Sequence, residues 1–134
     1  MIYMIGNIHG DMRRYNSIMS KINLKAEYKL YVLGDIIDGM PYGIDILLDL
    51  MERKYVMVLL GNYELIMLNA ILNPHNSSLL NKWLKNEGVS TLKTFVNQSK
   101  ATQQKIIKYI AQMPTNVDLT VDPKKYLLLH VWRR

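Results

Sequence analysis

The first 72 residues alternate between short continuous apolar runs and segments whose apolar residues recur at helical spacing. The continuous runs predict buried strands, and the periodic segments predict amphipathic helices. Three strand–helix pairs follow one another along the chain: Ile2–Ile5 with Met12–Ile22, Lys29–Leu33 with Gly43–Met51, and Tyr55–Leu60 with Leu65–Leu72. This order predicts an α/β fold with a largely parallel sheet.

The rest of the chain has a different pattern. Helical spacing predicts three consecutive helices, at Leu79–Asn86, Thr91–Asn97 and Thr102–Met113. Alternating apolar residues then predict a strand from Val117 to Val121, and a final strand, Tyr126–Leu129, leads to His130. Because no linker composition interrupts these elements, we expect a single domain over residues 1–134.

Composition and charge exclude several classes of protein. The chain has no cysteine, which rules out disulfide frameworks and thiolate metal sites. Its net charge of +6 is spread along the sequence without a basic run, which predicts a solvated surface and no nucleic-acid partner. The longest apolar stretch, residues 55–72, is broken by polar residues, which argues against a membrane span. Without a signal-peptide pattern at Met1, we expect a cytoplasmic protein.

Polar residues with metal-binding chemistry follow each predicted strand of the first half. The loops read Gly-Asn-Ile-His-Gly at 6–10, Gly-Asp-Ile-Ile-Asp at 34–38 and Gly-Asn-Tyr-Glu at 61–64, and His130 follows the last strand. Parallel strands bring the loops at their carboxyl ends to one edge of the sheet. Oxygen and nitrogen ligands gathered there suit a two-metal site for phosphate, and Asp35 is best placed to bridge the ions.

The order of these loops resembles the metallophosphoesterase pattern D-x-H, G-D-x-x-D, G-N-H-E and a strand-ending H. The segment 83–92 resembles the helical insert of the bacterial and phage branch of serine/threonine protein phosphatases, with its W, N-G-G and T-L. The resemblance implies the N-terminal part of the calcineurin-like metallophosphoesterase fold. That fold has a mostly parallel sheet, flanking helices and a helical insert, and its second sheet would be largely missing here.

The resemblance also implies a set of metal ligands. His9 and Asp35 would bind one divalent ion, together with Asn7, which stands where the family has an aspartate. Asp35, Asn62 and His130 would bind the other ion. The metal would be Mn, Fe or Zn, and we expect weak binding because a neutral amide replaces a carboxylate.

The catalytic residues implied by the resemblance depart from the family as well. Tyr63 takes the place of the histidine thought to protonate the leaving oxygen, and Asp38 would assist it. Two arginine positions that bind phosphate in the family are Gly39 and Leu60 here, so the phosphate-binding residues are unknown. A tyrosine with an ordinary pKa near 10 is poorly matched to proton donation at neutral pH.

Two functions follow from these residues. The first is a metal-dependent phosphomonoesterase of the phosphoserine and phosphothreonine class, acting on a phosphoprotein or a small phosphate ester, with impaired activity. The alternative is an inactive pseudophosphatase, or the remnant of a disrupted gene, that serves as a binding module. Plainer interpretations stay open: Asp35 and Asp38 as turn formers, Tyr63 as the start of a helix, and Trp83 as a packing anchor.

Self-association is a further expectation. The apolar strands carry consecutive apolar residues, so both faces of the sheet need cover. The helices can cover one face. An uncovered apolar face predicts a homodimer or a larger assembly.

Overall fold

The computed structural model describes residues 1–130, and the expectations for residues 131–134 lie outside the described part. It confirms the α/β class. Strands β1 (Ile2–Ile5), β2 (Lys29–Val32) and β3 (Val56–Val58) form a parallel sheet in the order β1-β2-β3. Helix α1 (Met12–Met19) joins the first two strands, and α2 (Gly43–Glu52) joins β2 to β3. All three strands therefore end at the same edge.

The core lies between this sheet and the helices on one of its faces. Leu30 and Val32 of the central strand are fully buried, as are Ile44 and Leu47 of α2. Burial of an apolar side chain of this size contributes about 1.5–3 kcal/mol. The opposite face carries Met4 and Met57, which flank Tyr31 in register and are 48% and 43% exposed. Self-association through that face stays a prediction.

Two predicted elements of the first half have different bounds in the structure. The third strand is short because Tyr55 has a left-handed φ of 64° and the Leu60 amide donates to the carbonyl of Pro114 at 2.8 Å. Helix α1 ends at Met19 instead of Ile22 because the Ser20 hydroxyl donates to the Ser17 carbonyl at 2.8 Å. Such local bonds compete with helix continuation.

Helix α3 (Asn62–Leu72) begins three residues earlier than the apolar spacing predicts. Gly61 is its N-cap, and the Glu64 side chain accepts from the Gly61 amide at 3.2 Å. A capping residue followed by a glutamate three positions later is a recognised helix start. Tyr63 therefore does lie in the first turn of a helix, as one of the plainer interpretations held.

The predicted helical insert is present. It consists of α4 (Ser77–Trp83), α5 (Val89–Val96) and α6 (Lys100–Ala111). Between α4 and α5 lies a wide turn, Leu84–Gly88, which we call the insert turn. None of the helices described within residues 1–130 is long and apolar enough to cross a membrane.

A hairpin completes the described part of the chain. Strands β4 (Asn116–Val121) and β5 (Lys124–Leu129) pair antiparallel to form a small second sheet. The consecutive apolar residues at 126–129 predict a buried strand, like those of the parallel sheet, and this prediction is wrong. Tyr126, Leu127 and Leu129 are 46%, 55% and 43% exposed, because β5 pairs with β4 instead of joining the parallel sheet.

Candidate functional site

The loops after β1 and β2 are bonded to each other at the sheet edge. The His9 amide donates to the Asp35 carbonyl at 3.0 Å, and the Gly10 amide donates to the Ile36 carbonyl at 2.7 Å. These backbone bonds continue the pairing of the strands beyond their ends. They fix the positions of two predicted ligands, His9 and Asp35, relative to each other.

Four residues of these loops have left-handed backbone conformations. The φ angles are 55° at Asn7, 46° at His9, 55° at Asp35 and 66° at Asp38. Positive φ is uncommon for residues other than glycine. Backbone strain of this kind clusters at functional sites, where the surrounding structure holds it in place. Four of the seven predicted site residues thus have strained backbone angles.

Glu64 holds the loop after β2. Its carboxylate is fully buried and accepts hydrogen bonds from the amides of Asp35, Ile36 and Ile37 at 2.7, 3.1 and 3.4 Å. Burial, and then the charge of Asp35, raise the pKa of Glu64 to about 8, while those backbone bonds lower it. Sequence reasoning assigned Glu64 no role beyond starting a helix. The position of Glu64 in the Gly-Asn-Tyr-Glu loop was the feature of the sequence that could have indicated this role.

His130 lies against Asp35, as the sequence predicts. Its Nε2 is 3.1 Å from Asp35 Oδ2, and its Nδ1 is 2.7 Å from the carbonyl oxygen of Leu33. A ring whose Nδ1–H donates to Leu33 directs the Nε2 lone pair at the carboxylate. The Nε2 lone pair and the carboxylate oxygen are both acceptors, so their contact is favourable when Nε2 is protonated or when a cation binds both atoms. Metal-binding histidines characteristically use the N–H of their other ring nitrogen to donate a hydrogen bond to a carbonyl or carboxylate in this way.

Asn62 is close to the same carboxylate. It lies between Gly61 and Tyr63, and the Tyr63 amide donates to Asp35 Oδ1 at 3.2 Å. The Oδ1 atom of Asn62 is buried and has no hydrogen-bond partner. A buried oxygen without a donor is costly unless a ligand satisfies it.

Asp38 is anchored by the helical insert. Its amide donates to Thr91 Oγ1, and the Trp83 indole N–H donates to its Oδ2, both at 3.2 Å. The second carboxylate oxygen is buried without a partner. Burial raises the pKa of Asp38 to about 6, the neighbouring Thr91 hydroxyl and the indole N–H of Trp83 lower it, and the charge of Glu87 raises it. Trp83 is a fully buried packing residue, as expected, and it also orients Asp38.

Tyr63 and His9 pack together at the mouth of the site. Their rings meet edge to face with centroids 5.1 Å apart. Partial burial raises the pKa of the Tyr63 hydroxyl, and the negative charges of Glu87, Asp35 and Asp38 add to the rise. The hydroxyl is therefore a neutral hydrogen-bond donor at physiological pH.

The two positions where the resemblance implies arginines differ from each other. Leu60 is 9% exposed and its side chain belongs to the core, so this side chain is not available to a ligand. Gly39 has a φ of 94° and is exposed, and a Cβ built on it would lie 3.3 Å from the His9 carbonyl oxygen and 3.5 Å from Glu87 Oε2. A side chain at Gly39 would be strained by its backbone angle.

Comparison with known proteins decides the family. The family model for calcineurin-like phosphoesterases matches residues 1–130. The chain belongs to this family.

Individual known proteins share part of their length with this chain. The "Putative serine/threonine-protein phosphatase C06A1.3" of Caenorhabditis elegans is 35% identical over 75 residues, which cover 52% of this chain and 21% of that protein. The hypothetical protein PH1004 from Pyrococcus horikoshii OT3 has a TM-score of 0.67 at 22% identity, over 95% of this chain and 54% of its own. A metallophosphoesterase from Sphaerobacter thermophilus has a TM-score of 0.58 at 12% identity, over 87% and 42%. The chain thus spans a fifth to about half of these proteins, and the structures show the shared fold.

Calcineurin-like phosphoesterases generally use divalent metal ions. The residues of this chain fit one such ion better than two. Asp35 Oδ2 and His130 Nε2 are an oxygen and a nitrogen donor 3.1 Å apart. The buried, unpartnered Asn62 Oδ1 belongs to the residue before Tyr63, whose amide donates to Asp35 Oδ1. Asn7 is exposed, and the His9 ring packs against Tyr63. Among residues 1–130, no three His, Cys, Asp or Glu side chains lie close enough together to hold a metal.

Another departure from the phosphatase branch lies in the insert turn. The resemblance has N-G-G where this chain has Asn86-Glu87-Gly88. Asn86 and Gly88 match the family run, and Glu87 does not. The structure places the Glu87 carboxylate beside Gly39, at the mouth of the site. A charged residue in place of a glycine was the signal that could have revealed it.

Proposed function

We propose that this chain is a metal-dependent phosphomonoesterase of the serine/threonine protein phosphatase class with impaired activity. The observation that carries the proposal is the pairing of His130 Nε2 with Asp35 Oδ2 at 3.1 Å, with His130 Nδ1 held by the Leu33 carbonyl. Asp35 follows β2 and His130 follows β5, so the two residues are distant in sequence. Such a contact at the carboxyl end of a parallel sheet is typical of a ligand site.

A single divalent ion would be held by Asp35, Asn62 and His130. When bound, such an ion polarises a phosphoryl oxygen and lowers the pKa of a bound water. The chain itself positions the ligands: Glu64 holds the loop that carries Asp35, and the Leu33 carbonyl orients the His130 ring. Because Asp35 is the one carboxylate among these ligands, we expect weaker binding of Mn²⁺ or Zn²⁺ than a two-carboxylate site would give.

Impairment follows from the groups that would act on the substrate. Tyr63 donates hydrogen bonds, but its raised pKa makes it a poor proton donor to a leaving oxygen. Neither Gly39 nor the buried Leu60 supplies a positive charge for phosphate. The loss of separate catalytic groups lowers turnover strongly.

The proposed substrates are a phosphoprotein or a small phosphate ester, in the cytoplasm, without nucleic-acid or membrane partners. The alternative, an inactive pseudophosphatase or gene remnant that acts as a binding module, is favoured by one observation. The Glu87 carboxylate lies beside Gly39, next to His9, and its negative charge would oppose the binding of an anion there.

The test combines metal binding with hydrolysis. Titration of the metal-free chain with Mn²⁺ should show weak binding of one ion, and His130→Gln should abolish it. His75→Gln is the matched control, because His75 is exposed and lies before α4, away from the strand-end loops. Hydrolysis of an aryl phosphate and a phosphoserine peptide should be near background and depend on His130. Tight binding of two ions, or turnover of about 1–1000 per second, would contradict impairment. Equal Mn²⁺ binding by His130→Gln would contradict the site.

A further inference from the structure

Glu87 has an unusual backbone conformation. Its φ and ψ angles are 68° and 24°, in the left-handed region, between helices that both continue in the ordinary right-handed form. Residues other than glycine occupy this region at a cost, and they keep it where the surrounding contacts hold them there.

Contacts on both sides fix the insert turn against the site. Gly88 packs directly under Trp83, and a Cβ at Gly88 would lie only 2.3 Å from the indole Cδ1. The indole N–H in turn donates to Asp38 Oδ2. Thr91, in the first turn of α5, accepts from the Asp38 amide. These contacts hold the backbone at Glu87 next to the loop that carries Asp38.

The carboxylate of Glu87 borders the space next to Gly39. A Cβ built on Gly39 would lie 3.5 Å from Glu87 Oε2 and 3.4 Å from His9 Cβ. Glu87 and His9 therefore both lie against Gly39, and the Tyr63 ring packs on His9. The negative charge of Glu87 is also felt by both neighbouring acids, since it contributes to the raised pKa values of Asp38 and Tyr63.

We propose that Glu87 is a specificity-determining residue whose carboxylate disfavours dianionic phosphomonoesters relative to monoanionic phosphodiesters. The proposal rests on the phosphoesterase function proposed above. Repulsion between fixed charges scales with the charge of the ligand, and at separations of about 5 Å near a protein surface it is large enough to matter. We expect Glu87 to weaken binding of a dianion about tenfold and of a monoanion about threefold at low ionic strength.

The experiment measures binding of two probes to the full chain in the presence of Mn²⁺. The probes are inorganic phosphate at pH 8, which is mainly dianionic, and dimethyl phosphate, which is a monoanion. Wild type is compared with Glu87→Gln, which keeps the shape of the side chain, and Glu87→Gly, which also relieves the backbone. Glu27→Gln is the control, because Glu27 is exposed and precedes β2 at the opposite edge of the sheet.

Glu87→Gln and Glu87→Gly should both bind phosphate about tenfold more tightly than wild type at low salt, with a smaller gain for dimethyl phosphate. The gain should shrink as salt is added, because salt screens charges at the surface. Equal affinities of wild type and both variants, equal gains for the two probes, or no binding by any variant would overturn the proposal.

The outcomes also separate this proposal from the proposed function. A gain in phosphate affinity without hydrolysis by any variant would support the role of Glu87 and refute the phosphatase assignment. Hydrolysis that depends on His130, with phosphate affinity independent of Glu87, would do the reverse.

Discussion

Replacement of Asp38 by asparagine should stabilise the metal-free protein at neutral pH. The Asp38 side chain is fully buried, and one of its carboxylate oxygens has no hydrogen-bond partner. Burial raises its pKa from 3.8 to about 6. The folded state therefore holds the proton at pH values where the unfolded chain has released it. Asparagine keeps the shape of the side chain and an oxygen for the Trp83 indole, and it carries no charge.

The sign of the pH dependence follows from the raised pKa. Below 3.8 the carboxyl is neutral in both states, so its favourable contribution to folding is fully present. As the pH rises through about 6, the folded state must ionise the buried group and that contribution is lost. Each tenfold change in an ionisation constant corresponds to about 1.4 kcal/mol, so the full rise amounts to about 3 kcal/mol. Solvent at the mouth of the site screens part of this, and we expect about 1–2 kcal/mol for Asp38→Asn.

Urea denaturation in EDTA, followed by tryptophan fluorescence at pH 4.5 and pH 8, measures this effect. Asp38→Asn should gain more stability over wild type at pH 8 than at pH 4.5. Other buried acids such as Glu64 contribute equally to both proteins, so they cancel in the difference. Asp118→Asn is the control, because Asp118 is exposed on β4. A gain that is the same at both pH values, or a loss at pH 8, would refute the reasoning.

Three further changes test the packing, the metal site and the open sheet face. Gly88→Ala should lower the free energy of unfolding by about 1–3 kcal/mol, because the new Cβ meets the Trp83 indole. Gly6→Ala is the control and should not lower it, because its Cβ has only an ordinary 3.7 Å contact. Thermal melting of the two variants measures the difference. Asn7→Asp should tighten Mn²⁺ binding in calorimetry; an unchanged affinity would remove Asn7 from the ligands. Size-exclusion chromatography with light scattering should show a homodimer or a larger assembly for the wild type, and Met57→Lys should dissociate it into monomers. A wild-type protein that is entirely monomeric would contradict self-association.

Much of the fold was predictable because apolar periodicity decides it. The strands Ile2–Ile5 and Lys29–Val32 and the helix α2 lie within one residue of their expected bounds. Where the bounds differ, a single local feature is responsible, such as the positive φ of Tyr55 or the Ser20 hydroxyl. These features depend on backbone angles and individual hydrogen bonds, which the spacing of apolar residues does not encode.

The candidate site was predictable in part for a different reason. The loop residues His9, Asp35 and Asn62 follow parallel strands, so topology alone brings them to one edge. The contact of His130 with Asp35 could be expected only from the family order, since the two lie far apart in sequence. The role of Glu87 could not be read from spacing, because it depends on a left-handed turn that directs one side chain toward Gly39.

The loop after β2 does not depend on a metal for its conformation. Glu64 accepts hydrogen bonds from the amides of Asp35, Ile36, Ile37 and Gly61, so a buried side chain of the protein satisfies the donors of the strained loop. Three of these bonds link α3 to the strand end that carries Asp35, and the fourth, from Gly61, lies within the N-cap of α3. Changes at ligand positions outside this network, such as Asn7, therefore alter affinity for a metal without removing what holds the loop. This separation explains how the chain combines a regular phosphoesterase fold with unusual residues at the positions that would contact metal and phosphate.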